Sequence, residues 1–408
     1  MIRWLPFEGI AALRFMREGW IQTIFILVGV SLGVAVTVFE SSVLTGVQAN
    51  FLRRVLTSQA HIVLLPPDEV ARPLRAGPGI VQDATLQRPN QRLRSIDQWQ
   101  TIRETVAATP GVRVIASVAA GAALAVRGDA TAAISIIGAE PADYFSIVRV
   151  PDYIVAGALR LTSEDILIGT DLAILLGVAV GDRLVVTARS ATSRSLTIAA
   201  IFDLGSKGAN LRTTFVAFRT GQSLLNLAGG VTSLEIAVQD AFTAETIAQD
   251  LAARTGVRAD SWIKTNAQFF TAVQAQNTSN IVISAAVALS VAFGVASVLV
   301  VSVVQRGREI GILRAMGARR GQVLVVFLIQ GGAMGVLGAV LGSLMGAGLL
   351  LIWHDQVRQT DGAELFPFIL DPLLIGGTIV FAAVVGVLAG MAPAMQAARL
   401  DPAVAIRG

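Results

Sequence analysis

Cysteine is absent from the 408 residues. That excludes a disulfide framework and any thiolate metal site, so the compartment must be read from topology rather than redox chemistry. Histidine is nearly absent as well. His61 and His354 are far apart in sequence and lack carboxylates at ligand spacing, so no metal site is expected. No GxxxxGKS or GxxxxGKT stretch occurs, which excludes the usual phosphate-cradling loop and, with it, ATP hydrolysis by this chain alone. There is no GxSxG nucleophile elbow, and isolated Ser and Asp residues suit turns and caps better than catalysis. No catalytic residue and no cofactor bound by this chain are therefore expected. Charged residues are only 15% of the total, and the net +4 comes mainly from arginine. No basic block interleaved with aromatics occurs, which disfavours nucleic acid as a partner.

What is present is apolar. Hydrophobic residues make up 54% and the mean hydropathy is +0.67, a balance expected of an integral membrane protein. Four runs, residues 21–44, 281–304, 323–353 and 371–392, can each cross about 30 Å of hydrocarbon, for which roughly 20 helical residues suffice. The first run is too long for a signal peptide, and no small-residue cleavage pattern follows it, so it is read as a retained anchor.

Arginine in short connections stays cytoplasmic. Arg3, Arg14 and Arg17 precede the first run, and Arg306, Arg308, Arg314, Arg319 and Arg320 crowd the connection after the second. Arg399 and Arg407 follow the fourth, whereas the connection after the third carries Asp355, Asp361 and Glu364 against Arg358. Both termini and the arginine-rich connection are thus expected inside and the large segment between the first two runs outside. The resulting order is an interfacial helix at 1–19, spans at 20–45, 279–305, 323–353 and 371–393, an outer domain at 46–278, an inner connection at 306–322, a short outer loop at 354–370 and an inner tail at 394–408. The fold class is a membrane protein with four transmembrane α-helices and a large extracytoplasmic mixed α/β domain, in two lobes, between the first and second.

Within these segments, Ile10, Leu13, Phe15 and Met16 fall near one side of the first helix, with Arg14 and Arg17 at its edge. Gly29 and Gly33, then Gly338, Gly342 and Gly346, then Gly386 and Gly390 recur at spacings of four, a small-residue pattern that lets helices approach closely. Glu40 sits near the outer end of the first span, where it reads either as an interfacial residue reached by water or as part of a substrate path. In the outer domain, a strand ends at Pro66 and Pro67, a polar Pro- and Gly-rich loop runs to about residue 94, and Ser95 opens an amphipathic helix carrying Ile96, Trp99, Ile102 and Val106. Helices then alternate with strands, among them 112–127, 131–138, 196–203, 213–218, 232–239 and 257–262.

The stretch "REIGILRAMGARRGQV" followed by "GVLGAVLGSLMGAGL" resembles the signature of the MacB/FtsX-type ABC transporter permeases. The closing "APAMQAARLDPAVAIRG" and the outer "ILIGTDLAILLGVAVGDRL" are similar to the same family. "SWIKTNAQFFTAVQAQN" and "VLTGVQANFLRRVLTSQAHIVL" lean toward its lipoprotein-release members LolC and LolE. The resemblance implies the type VII, mechanotransmitting architecture in the inner membrane and a second permease copy or a sister permease. It also implies a separate cytoplasmic ABC ATPase carrying ATP and magnesium, and a periplasmic carrier or adaptor. It further implies that the inner connection docks on that ATPase. There Ile310, Leu313 and Met316 would form an apolar knob, Arg308, Glu309 and Arg314 would set orientation by charge, and Gly317 would end the helix. Three functions stay open: extraction of a lipoprotein or lipid, MacB-like efflux, and FtsX-like signalling to a cell-wall hydrolase. No carrier-binding hook of the LolC kind is identifiable in residues 66–94.

Overall fold

A computed structural model describes residues 7–68, 93–188, 192–356 and 369–400. Most of the 66–94 loop, the stretch holding Arg358, Asp361 and Glu364, the last eight residues of the inner tail, Arg3 and Arg407 lie outside the described residues. Two compact units are present, a membrane unit (Met1–Leu52 with Thr271–Gly408) and an extracytoplasmic unit (Arg53–Phe270).

The chain begins with α1 (Phe7–Glu18) and α2 (Trp20–Ser58). Helix α1 buries Ala12 and Phe15 and leaves Ile10 and Leu13 exposed, so its apolar residues divide between two sides. Helix α2 outruns its apolar stretch because residues 45–58 contain no proline and only Gly46 to weaken it.

The extracytoplasmic unit continues through β1 (Ile62–Leu65), α3 (Trp99–Ala107), β2 (Val112–Arg127), β3 (Ala130–Ala139) and α4 (Pro141–Ile147). Next come β4 (Ile154–Gly157), β5 (Asp165–Gly169), α5 (Thr170–Leu176), β6 (Arg183–Ala188), β7 (Ser193–Phe202) and α6 (Lys207–Arg212). It closes with β8 (Thr213–Ala217), α7 (Phe218–Leu224), β9 (Ser233–Val238), α8 (Ala244–Thr255), β10 (Arg258–Ser261) and α9 (Trp262–Thr265). One ten-stranded sheet runs through the whole unit in the order β10-β1-β9-β2-β3-β8-β5-β7-β4, with β6 paired to β2 and β7. The pairs β3–β8 and β5–β7 are parallel. Its central strands are buried on both faces, which is why β5 reads as the unbroken run "DILIG" rather than an alternation. Ile166 and Ile168 join a cluster covered by α5 and α7, whereas Leu167 joins the cluster under α4 with Phe202 and Phe215. Helix α3 starts at Trp99 rather than Ser95, because the Ile96 N–H donates to the Val231 carbonyl at 2.9 Å and holds the preceding residues out of the helix.

The membrane unit resumes with α10 (Ala267–Gln305), α11 (Gly307–Ala315), α12 (Arg320–Gln356) and α13 (Pro372–Arg399). Helices α2, α10, α12 and α13 are long and apolar enough to cross a membrane. Half of the apolar window of α12 is buried, against a third or less in the other three, so α12 is the centre of the bundle. Glycine lets it be so. A side chain at Gly342 would stand 2.5 Å from the Ser31 carbonyl and 2.7 Å from Val34 of α2, and those added at Gly338 and Gly346 would meet Val30 and the Ala35 carbonyl. On the α13 side, Gly331 and Gly335 lie against the backbone of Gly386 and Ala382; the spacing rule points to Gly386 and Gly390 in this contact but not to Gly331 and Gly335. A side chain added at Gly390 would stand 3.3 Å from the Phe327 carbonyl, and one at Gly33 would meet Val287 of α10. Gly29 differs: nothing lies within 4 Å of where its side chain would be, so it packs no helix, and the fourfold spacing there marks an open surface.

Candidate functional site

Helix α11 is short, amphipathic and stopped at both ends by geometry. The Ile310 N–H returns to the Arg306 carbonyl at its start. At its end Gly317 takes φ +104, its N–H bonds the Arg314 carbonyl, and the Ala318 N–H bonds the Leu313 carbonyl, a Schellman closure that glycine allows at no steric cost. The helix has an inner and an outer side. Ile310 is 1% exposed and packs with Phe15, Val323, Val326 and Phe327, and Leu313 is half-buried beside it. Ile312 and Met316 face outward, 47% and 80% exposed, and Arg308 and Glu309 are exposed beside them. Ile310 is therefore the root of the helix rather than part of an outward knob. Ile312, one residue pair further on, takes the outward place.

Three ties hold α11 to the bundle. Ile310 anchors it against α12. Arg306, at its start, donates to the Phe15 carbonyl at 2.8 Å and to the Glu18 carboxylate at 3.2 Å, with its guanidinium 4.6 Å from the Phe15 ring centre. The Phe15 carbonyl, which also accepts the Gly19 N–H at 3.2 Å, lies at the C-terminal turn of α1, where a guanidinium is favoured by the helix dipole. Arg314 donates to the Leu400 carbonyl just past α13. Arg14 also bonds Glu18 at 2.8 Å and holds its carboxyl below the usual range. On the other side, Gln322 of α12 donates to Glu8 of α1 at 3.2 Å. In the sequence Arg306 counts only as one of five arginines marking the inner connection, and Gln322 carries no signal, because a polar residue at a junction between helices is too common to select it.

Residues 281–402 match the family model for the FtsX-like permease C-terminal domain, and residues 23–254, more than half of the chain, match that for the MacB-like periplasmic core domain. The chain belongs to the MacB/FtsX-type permease family. It is 24% identical over 440 aligned positions to the lipoprotein-releasing system transmembrane protein LolC of Xylella fastidiosa, covering 98% of this chain and 99% of that one. The macrolide export ATP-binding/permease protein MacB of Azoarcus sp. is 32% identical over 203 positions, which are 47% of this chain and 29% of MacB. The periplasmic region of MacB from Actinobacillus actinomycetemcomitans aligns with 53% of this chain and 94% of its own at 10% identity, with a TM-score of 0.35. This ABC transporter permease is thus an inner-membrane protein of the MacB/LolC type, and permeases of that type work with an ATPase partner.

Two further places in the permease bear on function. A cleft of about 660 Å³ opens between α2 and α10, lined by Phe25, Gly29, Gly33, Val36, Ile283 and Val287 among others, and no charged side chain lines it. One turn beyond Val36, Glu40 accepts a hydrogen bond from Gln276 of α10 at 3.2 Å, and the Asn280 amide reaches the same carboxylate at 2.6 Å once its nitrogen and oxygen are exchanged. In the extracytoplasmic unit, the Val238 N–H donates to His61 Nδ1 at 3.2 Å, and burial lowers the imidazole pKa. That histidine is occupied structurally. Among the described residues no three His, Asp or Glu side chains gather at metal-binding distances.

Proposed function

We propose that this permease transmits the ATP-driven movement of a separate cytoplasmic ATPase to its extracytoplasmic unit, and so extracts or exports an amphiphile such as a lipoprotein or lipid. The observation that carries the proposal is the triple tie of α11. A helix rooted by Ile310 in the bundle, clamped by Arg306 to α1 and by Arg314 to the end of α13 cannot move alone, so a load on Ile312 and Met316 reaches α1, α12 and α13 together. The arginine distribution supports placing α11 and both termini in the cytoplasm and the large unit in the periplasm. ATP and magnesium belong on the partner subunit. A second permease, identical or a sister, completes the transporter, and a periplasmic carrier or adaptor takes over the substrate.

The amphiphile is favoured by the cleft between α2 and α10. An uncharged groove suits an acyl chain, and the Glu40, Gln276 and Asn280 group at its outer end suits a polar head. The alignment with LolC over nearly the full length of both chains leans the same way. MacB-like efflux of drugs, peptides or siderophores is the second reading, favoured by the stronger local identity to MacB. FtsX-like signalling to a cell-wall hydrolase fits the large outer unit less well.

Two measurements test the proposal. Native mass spectrometry of the tagged permease, drawn from its host's membranes in mild detergent, should find an ATPase with an acylated protein or lipid. An adaptor and an outer-membrane channel in place of that cargo would favour efflux. Charging the outward residues, Ile312→Asp with Met316→Asp, should abolish ATPase association and leave membrane insertion intact, because both residues are exposed. Undiminished recovery of the ATPase with that double variant would overturn the coupling role of α11.

A further inference from the structure

Beside the outward side of α11 lies a second surface. Helices α1 and α11 enclose a groove of about 350 Å³, walled by Phe7, Ile10, Ala11 and Phe15 on one side and by Ile312 and Leu313 on the other. Unlike the two clefts among the membrane spans, which no charged residue lines, it carries a charge on each wall, Arg14 on α1 and Glu309 on α11. Arg14 is engaged by Glu18 at 2.8 Å, and Glu18 is engaged again by Arg306. Glu309 is exposed and makes no ion pair among the described residues. The groove therefore offers an apolar slot with a carboxylate at its lip that feels Arg14 across the groove but forms no direct ion pair among the described residues.

We infer that the groove between α1 and α11 receives a bulky apolar side chain of the ATPase subunit, with a Lys or Arg beside it meeting Glu309. The inference rests on the coupling role of α11 proposed above and extends the docking surface to α1. The permease then both inserts a knob, Met316, and accepts one against Ile312, so that the contact resists separation as well as compression. Charge selects this occupant over a lipid. An acyl chain gains nothing from charged walls, and an anionic headgroup is repelled by Glu309 while the arginine that could attract it, Arg14, is already engaged by Glu18. A helix carrying a large apolar residue next to a basic one satisfies both features, as interface anchors surrounded by complementary charge do. The Arg306 clamp supplies the remaining requirement, because it keeps α1 and α11 apart at a fixed width before the partner arrives.

The test is the affinity of the full-length permease in lipid nanodiscs for the separately purified ATPase. Ala11→Trp fills the groove from α1 without altering the outer side of α11, and should weaken binding about tenfold, the scale of losing an interface anchor. Glu309→Arg should weaken it comparably and Glu309→Gln less, whereas Leu13→Gln, exposed on α1 and absent from the groove lining, should bind as the parent does. Parent-like binding by Ala11→Trp, together with loss of binding by Met316→Asp, would overturn the groove and leave the coupling role of α11 standing. Parent-like binding by both would overturn both. Unchanged ATPase binding by Ala11→Trp with loss of co-purified phospholipid would assign the groove to a lipid tail instead. If Ala11→Trp is not recovered folded, Glu309→Arg decides, and parent-like affinity of that variant overturns the proposal.

Discussion

Glycine does different work in the two units of this permease. Among the described residues, every glycine with a left-handed φ lies in the extracytoplasmic unit except Gly317, which ends α11. There glycine is used for its backbone freedom, as at Gly177 closing α5 and Gly181 in the turn before β6. In the membrane unit it is used for its missing side chain, along the α12 face that meets α2 and the face that meets α13. The difference follows from solvent. Water drives apolar side chains such as Phe202, Ile166 and Leu167 together in the outer unit, so bulk stabilises it. Lipid is as apolar as leucine and supplies no such drive, so helices in the membrane gain by approaching until backbones touch.

The largest effect should come from breaking that approach. Gly342→Leu places a branched side chain where the Ser31 carbonyl and Val34 already stand, and α2 must leave α12. The cost should be about 3 kcal/mol or more, the upper end of overpacking, because the obstacle is backbone. Gly29→Leu, with the same substitution and the same spacing motif but open space around it, should fall within about 0.5 kcal/mol. Unfolding of both variants in bicelles, followed by helix content against added SDS, measures the gap; equal stabilities would mean that close approach is not what holds α12.

A smaller effect belongs to the outer unit and to pH. Glu235 of β9 faces Val63 of β1 and Ala116 of β2, and burial raises its carboxyl from 4.5 to about 7. Between those values the folded unit holds a proton that the unfolded chain releases. Its contribution is thus greatest in acid, declines as pH rises through that window and is lost above it. Because the side chain keeps some contact with solvent, about 2 kcal/mol is expected between pH 5 and pH 8. His61 slopes the other way, since its folded imidazole is held neutral and stabilises less as pH falls. Comparing Glu235→Gln with the parent removes that contribution from the difference. The variant should match the parent at pH 5 and exceed it at pH 8, read by hydrogen exchange of β1, β2 and β9 amides in the full chain. A difference that does not change with pH would show that Glu235 titrates normally.

Much of the membrane unit is legible in sequence because its determinants are local. Hydropathy marks α2, α10, α12 and α13, and "RGREIGILRAMG" spells a short helix with a glycine stop. What the pattern cannot decide is which apolar residues meet the rest of the chain. Ile310 and Ile312 are alike in kind and close in sequence, yet one is the root of α11 and the other faces out, because the side on which Phe15 and Phe327 wait is set by residues distant in sequence. Gly29 and Gly342 share a spacing and differ in whether a neighbour is present. The sheet order is hidden for the same reason: β3 pairs with β8 across seven intervening elements, and nothing in either strand names its partner. Helix α3 is the local exception, its early start overridden by the Ile96 hydrogen bond to Val231.

The smallest predicted effect sharpens the comparison most. Ser31 of α2 donates to the Gly338 carbonyl of α12 at 3.1 Å, and Thr214 of β8 donates to the Ser135 carbonyl of β3 at the same distance. Both hydroxyls are buried. In the simplest view the bond within lipid should be worth more, since no water competes for either group. The reference state reverses that expectation. A helix left alone in the bilayer still satisfies its carbonyls internally, and its serine can bond the carbonyl of the preceding turn, so little is lost when the helices part. The unfolded outer unit gives its hydroxyl to water, while truncation in the folded state leaves a buried group with one partner fewer. Ser31→Ala should therefore cost about 0.6 kcal/mol and Thr214→Val about 1 kcal/mol. If denaturation of the two variants showed Ser31→Ala to be the costlier by a clear margin, interhelical hydrogen bonding would have to join glycine contact as a principal source of stability in the membrane unit.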